Sequence, residues 1–137
     1  MSSIEYVDGW PQPYRLPDAE PYWKALNEGR LTYQRCDECQ EAVWPAHSAC
    51  PHCGSRRLAW HEASGRGTLY SFSTVVRGPT PAWQAISPYH VGFVEMPEGY
   101  YLFSQIEARA EDLAVGKPVR VRFIQRGSQT LPVFALE

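Results

Sequence analysis

The sequence predicts a mainly β protein in which a short helix and a cysteine ribbon precede a small five-stranded barrel. Three observations carry this. Aromatic residues make up 13% of the 137-residue chain, and twelve prolines and ten glycines punctuate it, a texture of short strands and turns. All four cysteines fall within one eighteen-residue stretch. Beyond residue 63 the chain divides into five runs of strand-forming residues separated by turn signals. At a prior of one domain per ~150 residues, such a chain buries one modest core and not two large ones.

Residues 1–17, rich in Pro, Tyr and Trp and without helical or strand period, are expected to form an extended arm. A second unit, 18–62, opens on a helix: Asp18 is a candidate N-cap, Glu20 and Pro21 suit the first turn, and Gly29 follows the last. Tyr22, Trp23 and Leu26 share one side of it. Runs 31–35 and 43–44 flank the first cysteine pair as short strands, and 58–61 leaves the second.

Gly65-Arg66-Gly67 punctuates the entry to a third unit, 63–137. Its first strand is 68–77, with Leu69, Phe72 and Val75 or Val76 facing a core. A proline-rich loop, 78–88, carries Trp83, and strand 90–96 follows with Val91, Phe93 or Val94 inward. Pro97-Glu98-Gly99 turns the chain into a returning strand, 100–107. After a helical turn at 112–116, strand 119–125 puts Val119, Val121 and Phe123 on one face and Arg120, Arg122 and Ile124 on the other. A polar turn at 127–130 leads into the last strand, 131–136. Five strands over ~75 residues, with the insert between the third and fourth, suit the OB-fold barrel; a five-strand sandwich gives a similar pattern.

The cysteines form two C-x-x-C pairs, Cys36-Asp37-Glu38-Cys39 and Cys50-Pro51-His52-Cys53, ten residues apart. Zinc takes four soft ligands in a tetrahedron; two thiolates three positions apart span one edge, and a second pair spans the opposite one. Gly54 suits the tight turn that closes the second knuckle, whereas Gln40 stands where the first would more usually carry glycine. Disulfides need an oxidising compartment, and a thioredoxin-like site needs one C-x-x-C in a βαβ setting, so a metal is favoured, zinc ahead of iron. Four thiolates leave no open position for water or substrate, which makes the site structural. His47 and His52 read as loop histidines beside it.

Net charge is −2, against a general nucleic-acid-binding role. Single-strand binding needs aromatic platforms on a basic groove. Tyr70, Phe72, Tyr100, Tyr101 and Phe103 are available, but strand alternation buries about half of them. Residues 63–137 hold seven Arg or Lys against six Asp or Glu. No apolar run approaches the ~20 residues that cross a bilayer, and the N-terminus lacks the pattern of a secretory signal, so a cytoplasmic location is expected.

A catalytic set is also missing. The cysteines are claimed by metal, the remaining histidines His61 and His90 show no ligand spacing, and G-x-S-x-G and phosphate-loop patterns are absent. His90 with Glu95 and Glu107 comes nearest to an acid–base group, but reads better as a boundary histidine. Contact surfaces are more legible. Arg77 heads the proline-rich loop, whose Trp83 and Tyr89 offer an apolar tip, and Arg120 and Arg122 point out together from one strand. Trp10, Tyr14, Tyr22 and Trp23 form a second aromatic cluster that covers the ribbon or faces a partner.

The segments PDAEPYWKALNEGRL, RCDEC…CPHCGS, SGRGTLYSFSTV and GKPVRVRF…LPVFAL resemble the OB-fold proteins with an N-terminal rubredoxin-like zinc ribbon, a family long catalogued as a domain of unknown function. The resemblance spans residues 17–137. It implies a non-catalytic accessory subunit that docks on a thiolase-fold enzyme and helps bind its acyl-CoA. Such partners are thiolases, acyltransferases and the lipid-transfer-protein-like aldolases of steroid side-chain breakdown. One structural Zn2+ per chain and a CoA thioester held by the hetero-oligomer are expected with it. Arg77, Trp83, Tyr89, Arg120, Arg122 and Trp23 are the candidate contacts with acyl-CoA or partner. Two alternatives stand beside this reading: a single-stranded nucleic-acid binder, and an autonomous small-molecule enzyme using His90.

Overall fold

The computed structural model describes residues 4–14 and 16–137. Within the expected arm, residues 1–3 and 15 lie outside the described residues; the rest is not simply extended. Strands β1 (Tyr6–Val7) and β2 (Trp10–Pro11) pair antiparallel around Asp8 and Gly9, both at positive φ (53° and 82°). An Asp-Gly pair with that backbone is the favoured two-residue hairpin turn. Strands of two residues are too short to show alternation, which is why only the turn could have revealed them.

A 3-10 turn, Pro17–Ala19, leads into helix α1 (Glu20–Asn27). Asp18 lies inside that turn and does not cap; Ala19 holds the cap position without a side-chain bond, and Pro21 provides the rigid first turn. Tyr22, Ala25 and Leu26 are buried, and Gly29 at φ +75° ends the helix. Strand β3 (Thr32–Cys36) then pairs antiparallel with β4 (Ala42–Val43) on one side and β5 (Leu58–Glu62) on the other.

The remaining strands close a barrel: β6 (Arg66–Val75), β7 (Tyr89–Met96), β8 (Tyr100–Glu107), β9 (Pro118–Arg126) and β10 (Gln129–Leu136), in the order β10-β8-β7-β6-β9. Strand β10 runs parallel to β8 and antiparallel to β9, which shuts the ring and excludes the sandwich. Leu69, Val94, Met96, Leu102, Ile106, Val119 and Phe134 fill it.

Several expectations about the barrel are corrected. On β6 Leu69 is buried, whereas Phe72, past a register shift between Leu69 and Ser71, is 39% exposed, and Val76 lies beyond the strand at 77%. On β7, Val94 is the core residue and Phe93 faces out. The proline-rich segment is not a loop throughout: Pro81–Ile86 form helix α2, started by Pro81. The 3-10 turn between β8 and β9 sits at Ala110–Asp112, ahead of its expected place. No helix is long and apolar enough to cross a membrane among the described residues.

Gly92 is fixed by close approach. A Cβ there would meet the Ser71 carbonyl oxygen and come within 3.2 Å of Phe72 Cα, so a side chain has to force β6 from β7. Gly92→Ala is expected to cost about 3 kcal/mol, the upper part of the overpacking range, read as a fall in the denaturant midpoint.

The helix and ribbon share the barrel's core. Tyr22, Leu26, Leu31 and Tyr33 belong to the same buried cluster as Leu69 and Phe134. Aromatic rings make the joint: Tyr33 stacks on Tyr100 at 5.2 Å, and Trp44 lies 4.8 Å from Tyr22 and 5.5 Å from Tyr100. The ribbon's own cluster is small, with Val43 and Leu58 packed around cysteines. Apolar packing of that size does not hold a fold together, and the burden passes to the sulfurs.

Candidate functional site

The two knuckles are built by backbone hydrogen bonds that wrap the chain around its cysteines. Gln40 N–H donates to the Cys36 carbonyl at 2.9 Å, and Gly54 N–H to the Cys50 carbonyl at 2.8 Å. Both turns require positive φ, +66° at Gln40 and +81° at Gly54. Glycine meets that requirement without strain, and Gln40 meets it at a cost of about 1 kcal/mol. Its side chain gains a bond in return, donating Nε2–H to the Asp37 carbonyl at 2.9 Å.

Turning in this way, the knuckles bring all four Sγ atoms within 4.8 Å of one another. The cross-knuckle spacings are 3.6 Å for Cys36–Cys53 and 3.7 Å for Cys39–Cys50. Those are far too long for disulfides, and they match the ~3.8 Å edge of a tetrahedron with Zn–S bonds of about 2.3 Å. The backbone N–H of Cys39 lowers the Cys36 thiol to about 6 against the effect of burial. At Cys39 the Glu41 N–H pulls down, but burial and the neighbouring sulfurs outweigh it and raise the thiol to about 12. The four close sulfurs suit a divalent cation, which when bound would let all of them ionise. The histidines stay outside. His47 Nδ1 lies 2.6 Å from the Pro45 carbonyl and His52 Nε2 lies 3.3 Å from the Ala42 carbonyl, so each ring nitrogen donates to backbone.

Away from the metal site, the candidate contacts separate into two groups. Arg120 and Arg122 do point outward from β9, but carboxylates hold both. Arg122 makes a bidentate pair with Glu107 at 2.7 and 2.5 Å, and Arg120 Nε lies 3.3 Å from Glu137. Hydrogen bonding from Arg122 lowers the Glu107 carboxyl below its usual range. The pair's stabilisation is thus full above the ordinary carboxylate pKa of about 4.3 and disappears as pH falls through the depressed value. Since Arg122 is 57% exposed, Glu107→Gln is expected to cost under ~1 kcal/mol at pH 7 and nothing in acid, as thermal melts at the two pH values will show.

Trp83 and Tyr89 come together at 4.9 Å, but not as an exposed tip. Trp83 is half-buried on α2, edge-on to Trp10 at 5.0 Å. Trp23, half-buried on α1, lines the same groove as Trp83. Arg77 is exposed and makes no ion pair among the described residues. The conceivable acid–base group does not assemble. His90 Nδ1 bonds Thr74 Oγ1 at 2.9 Å, Glu95 accepts from the Tyr101 hydroxyl at 3.1 Å, and Glu107 serves Arg122.

One surface is assembled only in the structure: the sequence offered Tyr70, Tyr101 and Phe103 as available rings but did not place Phe93 with them. Tyr70, Phe93, Tyr101 and Phe103 lie on the outside of β6–β7–β8, between 44% and 58% exposed. Phe93 and Phe103 are register partners with rings 5.2 Å apart, and Tyr70 and Tyr101 are 4.9 Å apart. The signal was present in β8: Tyr100 and Leu102 face the core, and the intervening Tyr101 and Phe103 are just as apolar. A strand apolar on both faces has a second surface to cover.

Comparison with known proteins finds two family models that meet within β5. Residues 23–59 match the model described as ChsH2, rubredoxin-like zinc ribbon domain, and residues 60–123 that described as ChsH2, C-terminal OB-fold domain. A Thermomonospora curvata protein described as a probable enoyl-CoA hydratase alpha subunit is 35% identical over 90% of this chain, which spans only 39% of that relative. A DUF35 domain-containing scaffold protein of Methanothermobacter thermautotrophicus is 33% identical, over 68% of this chain and 71% of its own. The benzoylsuccinyl-CoA thiolase subunit BbsA of Thauera aromatica is 32% identical, over 70% and 69%. Among solved structures, the Ltp2-ChsH2(DUF35) aldolase superposes with a TM-score of 0.83 at 32% identity, covering 91% of this chain and 98% of that one.

Proposed function

We infer that this chain, which belongs to the ChsH2 (DUF35) family of rubredoxin-like zinc ribbon and OB-fold proteins, is a non-catalytic accessory subunit of a CoA-thioester enzyme. Its partner is a thiolase-fold protein, either a thiolase, an acyltransferase or a steroid side-chain aldolase. That partner supplies nucleophile and base. This chain supplies a rigid docking surface and part of the acyl-CoA site.

The observation that carries the reading is the aromatic face of β6–β7–β8. Four large rings stand partly exposed on a rigid sheet, while His90, Glu95 and Glu107 are engaged by Thr74, Tyr101 and Arg122. Contiguous exposed aromatics are what a protein–protein contact buries, and such rings dominate binding energy when desolvated. Two relatives described as a thiolase subunit and as part of an aldolase support the choice of partner. For acyl-CoA, Arg77 is the candidate for a phosphate, with Trp83 and Tyr89 beside it for an apolar or ring contact; Arg120 and Arg122 would first have to leave their carboxylates, and Trp23 is a wall residue.

The protein, tagged and purified from its source, is expected to bring down a thiolase-fold enzyme in stoichiometric amount, identified by mass spectrometry. Phe93→Ser with Phe103→Ser is expected to weaken that complex at least 30-fold and to leave the melting temperature within a few degrees. A chain that comes down alone, or that turns over acyl-CoA in isolation, refutes the reading. The same aromatic face on an OB barrel also favours single-strand nucleic-acid binding, which predicts affinity for oligonucleotides that falls steeply with salt.

A further inference from the structure

A groove of about 360 Å3 runs between the outer face of the barrel and the N-terminal helix, within the size range of small-molecule sites. Its walls are apolar: Val91, Phe103, Ile124 and Leu131 from the barrel, Trp23 from α1 and Trp83 from α2. Among the described residues one cation lines it, Arg126, at the end of β9.

Arg126 differs from the other arginines of its strand. Arg120 and Arg122 have carboxylates; Arg126 has no ion pair among the described residues. Its guanidinium carbon lies over Trp10 at 4.2 Å and near Trp83 at 5.3 Å, so cation–π contacts seat the group and leave N–H donors available. One edge nitrogen, Nη2, donates to Gln105 Oε1 at 2.8 Å. Arginine can only donate, so this bond fixes the Gln105 amide with its carbonyl on Arg126 and leaves its NH2 as a second donor in a groove that Gln105 also lines. Burial lowers the arginine's pKa against the nearby Glu107 carboxylate, a sign that the cation is held in a poorly solvated place.

Donors without an acceptor, one positive charge, and apolar walls together specify a ligand. We propose that this groove binds an apolar monoanion, a carboxylate carried on an aryl or aliphatic body, with the carboxylate on Arg126 and Gln105 and the body against Trp83, Phe103 and Trp23. A polyphosphate does not fit the described lining, where one cation in an apolar groove leaves its further charges uncompensated. The site shares Phe103 and Trp83 with the surfaces assigned above, but its binding is read on the chain without a partner and so fails separately from the accessory role.

Isothermal titration of the full chain with 2-naphthoate, and with the neutral 2-acetylnaphthalene, tests it. Wild type is expected to bind the carboxylate at least tenfold tighter than the ketone. Arg126→Gln should abolish that preference by weakening naphthoate alone, whereas Arg122→Gln should leave both affinities unchanged. Leu131→Trp, which fills the groove and leaves the stack intact, should exclude both ligands with an unchanged melting temperature. Equal affinity for acid and ketone, no binding of either below millimolar, or naphthoate binding undiminished by Leu131→Trp overturns the proposal.

Discussion

Cys36→Ser is expected to strip the ribbon of its metal and lower the melting temperature by more than ten degrees. Cys36 is fully buried at the end of β3 and stands 3.6 Å from Cys53. A serine oxygen there is a poor substitute for thiolate in a four-sulfur site, and structural zinc contributes binding free energy directly to folding. The loss does not stay local. Leu31, just before β3, and Tyr33, near its start, belong to the core that fills the barrel, so release of the ribbon loosens the joint below it. Metal analysis should find close to one zinc per wild-type chain and little in the variant, and a strong chelator should move the wild-type melt toward the variant's. A wild-type protein that is folded and free of metal would sink this account.

The second large effect is expected at Tyr100, with opposite signs for two substitutions. Its ring sits in the joint between barrel and ribbon, stacked on Tyr33 and flanked by Trp44, and only 6% exposed. Tyr100→Ala should cost about 3–5 kcal/mol, the range for removing a buried aromatic ring. Its hydroxyl, however, is buried without a hydrogen-bond partner among the described residues, and burial followed by the Glu98 charge raises its pKa well above the ordinary value. Tyr100→Phe removes that unsatisfied group and keeps the ring, so stability should rise by about 1 kcal/mol. Denaturant melts of the two variants give the pair of signs. Destabilisation by Phe would mean that the hydroxyl is engaged, and a small effect of Ala would mean that ribbon and barrel are joined elsewhere.

The metal site and most strands were legible because their determinants are local. A C-x-x-C pair sets two sulfurs on one edge of a tetrahedron by covalent spacing alone, and the returning strand of the hairpin, Tyr100–Glu107, is bounded in the sequence by the turn before it. Other features were not local: the register shift of β6 beyond Leu69 is made by pairing with β7, and no neighbour in sequence records it. Trp83 was misplaced for a similar reason: its environment comes from Trp10, which belongs to the N-terminal hairpin.

By itself, then, the sequence determined the parts: a four-thiolate ribbon, a helix begun by proline and ended by glycine, and five β runs of the right length for a small barrel. Their periods and spacings are properties of neighbouring residues. Tertiary structure alone decided the surfaces. Barrel closure left the rings of Tyr70, Phe93, Tyr101 and Phe103 outward, gave Arg120 and Arg122 their carboxylates, and set Arg126 on Trp10 beside an open groove. Which side chains meet across such distances depends on how the sheet twists and closes, and that is settled by packing among residues far apart in the chain.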